Sequence, residues 1–204
     1  AFRNEGIDPE TGYPIINLDV AEGADTTDPT TYMEYAGKLD PDFTGGLSMS
    51  FRYKQFTLST SFYLQLGGKR FLTAAYQSTY LPSEFENMTN ELVGRWTPDN
   101  PNSNFPGLPD KGVVSTLLPD GSTYATVYQM YNYSMDRVVD ASSLRCNAIS
   151  FSYSFANTWL QKCHIPVKSL SLSGTINNIF TIHSGDFKGR DPEVAMGQQP
   201  RTRS

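Results

Sequence analysis

Few side chains in this chain have the types and spacings that catalysis or metal binding would need. There are two histidines, His164 and His183. Neither lies in an HExxH or other ligand spacing, and no cluster of cysteine or aspartate accompanies both, so a metal site is not expected. The two cysteines, Cys146 and Cys163, form neither a CxxC pair nor a disulfide framework and read as small hydrophobes. No GxSxG elbow and no phosphate-binding glycine loop occurs. Two carboxylates could be proposed as a glycosidase pair. Here the acids sit in turn-rich contexts such as Asp8, Pro9, Glu10 and Pro98, Asp99, Asn100, Pro101, where solvated turn residues are the simpler reading. The Asn87 and Asn132 sequons match by chance frequency and carry no weight. No catalytic residue and no cofactor is assigned, and the chain is not expected to be an enzyme.

Aromatic residues offer a different chemistry, that of contact. They make up 13% of 204 residues. Trp96, Phe105, Tyr124 and Tyr128 lie in turn-rich sequence and could stack on sugar rings or meet a partner through apolar faces and polar tips. They could equally belong to an aromatic girdle at a membrane interface. The net charge of -5 argues against nucleic acid as a partner. Mean hydropathy is -0.41, and no apolar run reaches the roughly 18 residues of a membrane helix. Barrel strands escape that test, because lipid-facing and lumen-facing residues alternate along them.

The elements that would position these residues are strands. From Gly46 to Lys54, Leu47, Met49, Phe51 and Tyr53 share one face, while Ser48, Ser50, Arg52 and Lys54 share the other. From Phe56 to Leu66, Phe56, Leu58, Phe62, Leu64 and Leu66 oppose Thr57, Ser59, Ser61, Tyr63 and Gln65. Each run is about ten residues, the length of a tilted membrane-crossing strand, and only a tight turn fits at Lys54 and Gln55. A third strand is expected near 143–155, where Ile149, Phe151, Tyr153 and Phe155 alternate with serines. Leu144, Cys146 and Ala148 have the opposite parity, from a β-bulge or because that stretch lies above the lipid. After a connection at about 156–166, a fourth strand runs over 167–180, with Leu170, Leu172 and Ile176 on one face. The pairings 45–54 with 56–66 and 143–155 with 167–180 should be antiparallel.

Between these pairs the alternation stops. Gly67, Gly68 and a series of prolines from Pro82 to Pro119 break the region of about 67–141. One short helix is expected within Pro82 to Trp96, capped by Ser83, and Asp120 with Gly121 marks a turn, as of a small hairpin. The stretch before Thr44 reads as loop. So long an excursion conflicts with a compact soluble domain, but not with the extracellular loops of a membrane barrel.

The run from Leu39 to Leu47 contains Asp40, Pro41, Phe43, Gly45 and Gly46 and leads into Tyr53, Lys54, Phe56 and Leu58. It resembles the strand approach of SusC/RagA-type TonB-dependent outer-membrane transporters. Arg95 to Pro98 (RWTP), Ser143 to Arg145 before the third strand, Asn177 to Phe180, and Gly189, Asp191, Pro192 and Glu193 are similar to further motifs of that family, in its order. Ala156 departs from the pattern where the family carries a turn proline. The resemblance implies an all-β fold: the C-terminal antiparallel strands of a transmembrane β-barrel of about 22 strands with long extracellular loops. Residues 1–44 would be an extracellular loop leading into the first strand, and 45–204 the C-terminal section of the barrel.

The resemblance also implies function. The whole protein would import glycans or peptides across the bacterial outer membrane, with a SusD-like surface lipoprotein as lid and TonB acting through an N-terminal region. Four strands and the start of a fifth near Gln199 cannot close a barrel, and open edges are not tolerated in lipid. A longer chain, with plug and final strand, is therefore expected. Two other readings remain open, a secreted β-sandwich that binds carbohydrate and a porin-like barrel without a plug. A sandwich would bury the apolar set Leu47, Met49, Phe51, Phe56, Leu58, Phe62, Leu64, Phe151, Tyr153, Leu170 and Leu172. A transporter barrel would turn it to the bilayer and the serines to the lumen.

Overall fold

The computed structural model describes residues 1–72, 74–76, 88–110, 112–163 and 167–187. In chain order its strands are β1 (Arg3–Ile7), β2 (Pro14–Asn17), β3 (Phe43–Tyr53), β4 (Phe56–Leu66), β5 (Lys69–Phe71), β6 (Ser115–Leu117), β7 (Tyr124–Thr126), β8 (Val138–Asp140), β9 (Ser143–Ser154) and β10 (Ser171–His183). Two short helices, α1 (Val127–Asn132) and α2 (Asn157–Lys162), complete the set with four 3-10 turns. The residues divide into two compact units: 1–38 with 69–139, and 39–68 with 140–204.

The second unit is a four-stranded antiparallel sheet in the order β10, β9, β4, β3. Both expected pairings form, and β4 also pairs with β9, which brings the two hairpins together across the intervening sequence. Tyr53 pairs with Phe56 across a two-residue turn. Lys54 closes that turn with a φ of 53°, the left-handed backbone that tight hairpins require. The fourth strand is offset from expectation, beginning at Ser171 and ending at His183. Leu170 precedes it, its carbonyl accepting from the Phe155 N–H at 2.9 Å.

The parity flip in the third strand is a bulge. Ser61 faces Ala148 and Phe62 faces Cys146, so Asn147 is one residue more than β4 has. Beside it β10 runs from Asn177, opposite Ala148, to Phe180, opposite Cys146. Asn178 has a φ of 51° there, and asparagine tolerates that backbone better than most side chains.

The first unit is less irregular than the sequence suggests. β1 pairs with β2, β5 with β8, and β6 with β7. The last is the hairpin signalled by Asp120 and Gly121. The Asp120 carboxylate accepts from the Ser122 and Thr123 N–H groups at 2.9 Å each. The expected cap at Ser83 lies outside the described residues, and the part of that helix within them is a 3-10 turn at Asn90–Gly94. α1 starts with a capping box: the Thr126 hydroxyl accepts from the Gln129 N–H, and the Gln129 side chain accepts from the Thr126 N–H. α1 feeds two clusters. Tyr128 and Tyr131 pack with Tyr76, Phe105 and Leu92, while Met130 packs with Phe2, Tyr32 and Leu118.

Candidate functional site

The register sorts the sheet into two chemically distinct faces. On one, Leu47 opposes Phe62, Phe51 opposes Leu58, and Leu58 opposes Phe151; Phe56 opposes Tyr153, which opposes Leu172. Above the bulge the same face continues through Cys146 to Phe180 and Leu144 to Ile182. On the other, Ser48 opposes Ser61, Ser50 opposes Ser59, Ser59 opposes Ser150, and Ser152 opposes Ser173. Hydroxyls bridge neighbouring strands there, Ser50 to Ser59 at 3.2 Å and Ser150 to Thr175 at 3.0 Å.

The apolar face is not a core. Leu47, Met49, Phe51, Phe56, Leu58, Phe151 and Leu172 are all exposed, Phe51 to 67% and Leu58 to 42%. Phe62 and Leu64 are half-buried. Among the described residues the buried hydrophobic clusters belong to the other unit. A soluble chain rarely exposes so long a contiguous apolar surface, and among the described residues this face stays exposed where a sandwich would bury it.

Of the two glycines in the run from Asp40 to Gly46, Gly45 has a spatial reason. A Cβ on Gly45 would sit 3.1 Å from the Phe43 ring. With that Cβ missing, a groove of about 420 Å³ opens among Phe43, Leu47, Phe62, Leu64 and Leu144 on the apolar face. The Asp40 to Pro41 backbone crosses Gly68, where a Cβ would lie 3.3 Å from both Asp40 C and Pro41 N, and Gly68 has a φ of +80°. Gly46 makes no close approach. Gly189, Asp191, Pro192, Glu193 and His164 lie outside the described residues. His183 stacks edge-on with Phe187, and no cluster able to hold a metal occurs among the described residues.

The four contact candidates occupy different environments. Tyr124 is 67% exposed on β7, where it pairs with Leu117 of β6. Phe105 and Tyr128 lie in one cluster with Tyr76, at ring distances of 6.0 and 4.7 Å. Tyr128 is wholly buried, and burial pushes its phenol, like those of Tyr76 and Tyr131, well above the ordinary range. Trp96 is half-buried and acts as a clasp: its Nε1 donates to the Pro9 carbonyl at 3.1 Å, and its backbone N–H donates to the Phe105 carbonyl at 2.8 Å. Its ring fills the space beside Gly12, where a Cβ would lie 2.3 Å away and φ is +75°. Gly12→Ala should therefore destabilise this unit by about 1–3 kcal/mol, read as a blue-to-red change in Trp96 emission and faster proteolysis after Glu10.

Residues with no expected role tie the unit together. The Asn132 side chain accepts from the Ala75 N–H and donates to the Tyr76 carbonyl, both at 2.8 Å. The Tyr13 hydroxyl donates to the Asp110 carboxylate. That bond pushes the phenol up to about 12 and holds the carboxyl below its usual range. Only tertiary geometry brings these pairs together, so no local sequence signal could have found them.

Comparisons with known proteins align with this geometry. No family model matches the chain. Over 170 residues, 82% of the chain, it is 28% identical to the TonB-dependent receptor P3 of Formosa agariphila. Over 193 residues, 92% of the chain, it is 28% identical to the TonB-dependent receptor SusC of Bacteroides thetaiotaomicron. The chain is similar to SusC/RagA-type TonB-dependent receptors. It spans 14% and 16% of the lengths of those two relatives. Structures of the RagAB peptide importer share the fold. The closed-closed state superposes with a TM-score of 0.64 at 19% identity, over 99% of this chain and 21% of the importer chain. The open-open state gives 0.62 at 18% identity, over 96% and 19%. The all-β architecture is thus that of a section of a SusC/RagA-type receptor.

Proposed function

We propose that this chain is wall and loop of an outer-membrane nutrient importer of the SusC/RagA type, with β3, β4, β9 and β10 crossing the bilayer. The observation that carries this reading is the exposed apolar face of the four strands backed by a hydroxyl-lined face. A bilayer on one side and a hydrated lumen or plug on the other would satisfy both. In this reading the two-residue turn after Tyr53 is periplasmic, and residues 1–38 and 69–139 are extracellular, because the periplasmic turns of such barrels are short and the extracellular loops long. In this reading residues 1–44 and 45–204 are loop and barrel section of a longer chain that closes with about 22 strands.

The same reading assigns the partners. A SusD-like lipoprotein would lid the barrel, TonB would act through a plug elsewhere in the protein, and the cargo would be a glycan or a peptide. Among relatives, RagAB is described as a peptide importer, which favours peptide as the first cargo to try. Within the extracellular unit, Tyr124 and the open side of Trp96 would meet lid or cargo. Phe105 and Tyr128 would hold the surface that presents them, since loops on a rigid scaffold usually carry recognition. Replacing 1–38 and 69–139 by short glycine–serine linkers in the full-length protein should abolish uptake of labelled oligopeptide or oligosaccharide while the barrel still fractionates with the outer membrane. Uptake at the normal rate would exclude the recognition role, and a protein soluble without detergent would exclude the membrane role.

A further inference from the structure

One end of the four-stranded sheet combines aromatic rings with cationic side chains. A chain of ring contacts leads off the apolar face at its tight-turn end. Phe56 lies 4.7 Å from Tyr153, Tyr153 lies 4.8 Å from Phe155, and Phe155 stacks on Trp159 of α2 at 5.0 Å. Trp159 is 45% exposed. The apolar surface therefore passes without a break from the strands onto the connection between β9 and β10. Rings with one apolar face and one polar edge favour the level where acyl chains give way to headgroups.

Charge is segregated along the same axis. The carboxylates among the described residues of this unit are Asp40, Asp42, Asp140 and Asp186, all next to the opposite ends of the strands. The tight-turn end carries Lys54, Lys162 and Lys168, all exposed, and none of those carboxylates. Lys54 sits over the Tyr53 ring, its Nζ 5.3 Å from the centroid, so its ammonium lies beside an aromatic ring of the apolar face. An isolated exposed lysine needs no explanation. Three at one end, bordering an apolar surface that leads directly to them, fit a sheet of phosphodiesters.

We propose that this end docks anionic glycerophospholipid headgroups of the leaflet on the tight-turn side, with Lys54, Lys162 and Lys168 pairing phosphates while Phe155 and Trp159 seat at the acyl boundary. The proposal rests on the membrane reading above. The test uses the full-length transporter in nanodiscs of phosphatidylcholine doped with phosphatidylglycerol, followed by mild extraction and native mass spectrometry of retained lipid. The wild type is expected to retain phosphatidylglycerol preferentially, and less so at high salt. K54Q/K162Q/K168Q should lower the phosphatidylglycerol to phosphatidylcholine ratio by about fivefold or more. Trp159→Ala should reduce retention of both lipids alike. An unchanged ratio in the triple variant, in protein that has entered the discs, overturns the headgroup proposal and leaves the membrane reading standing. Protein that stays out of the discs altogether overturns both.

Discussion

Leu58→Arg is expected to block assembly of the full-length protein into the membrane, and Ser59→Arg to be nearly silent. The two positions are neighbours on β4, share the same backbone environment and receive the same side chain. They differ in the face they occupy. Leu58 lies between Phe51 and Phe151, and Ser59 between Ser50 and Ser150. An arginine on the lipid face of a barrel costs about 2–4 kcal/mol at the bilayer midplane, which lowers the equilibrium constant for folding by a factor of tens to hundreds. On the hydroxyl face the guanidinium stays hydrated or meets serine oxygens. Urea titration of folding into phospholipid vesicles reads the difference directly. Equal effects at the two positions would remove the assignment of faces, and a larger effect at Ser59 would reverse it.

Glu91→Ala should be the most damaging single change in the other unit. The Arg137 Nη1 donates to the Glu91 Oε1 at 2.8 Å, with the two side chains 1% and 5% exposed. The guanidinium also lies 5.9 Å from the centroid of the Phe105 ring, within the aromatic cluster. Removing one partner of a buried ion pair costs about 3–5 kcal/mol. Glu91→Leu combined with Arg137→Met should recover much of that loss, because apolar replacement of a whole buried pair is often neutral. Hydrogen exchange separates the outcomes. Glu91→Ala should speed exchange in α1 and at Leu72, Ala75 and Tyr76, with β3, β4, β9 and β10 unchanged. If protection in α1 does not fall, the pair contributes little to holding this unit together.

The two units were legible in the sequence to very different degrees, for a physical reason. A strand with one apolar and one hydroxyl face repeats every two residues, so Leu47 to Tyr53 and Phe56 to Leu66 declare both their structure and their faces locally. The pairing of β4 with β9 required the register of the whole sheet. The other unit has no such period. Its core joins Phe2, Tyr32, Leu118 and Met130, and separately Tyr76, Leu92, Phe105, Tyr128 and Tyr131, from segments far apart in sequence. α1 spans only Val127–Asn132, too short for a helical period to rise above its surroundings. β1 and β2 are likewise too short to alternate visibly. The aromatic contact candidates were chosen by residue type, and type alone does not separate the buried ring of Tyr128 from the open ring of Tyr124. In the motif of Arg95 to Pro98, the Trp96 indole proves to be the clasp on Gly12 and Pro9.

Above the bulge at Asn147, chain length is a variable of charge placement. Below it, the odd-numbered residues of β9 share the face of Phe151. Above it, odd-numbered Arg145 stands opposite Tyr63 and Thr181, in the row of the hydroxyl face, and is nearly fully buried. Loss of Asn147 itself, with the pairing below kept, would only close the bulge, leaving Cys146 opposite Phe62 and Arg145 opposite Tyr63. Loss of Cys146 would instead bring Arg145 opposite Phe62, rotate the strand above by half a pleat and turn the guanidinium to the apolar face while Leu144 turned to the hydroxyl face. Where the apolar face meets a bilayer, as proposed, a one-residue length change above the bulge would therefore cost more than most changes of identity, because it would move an ion from one dielectric to another without altering any charged residue.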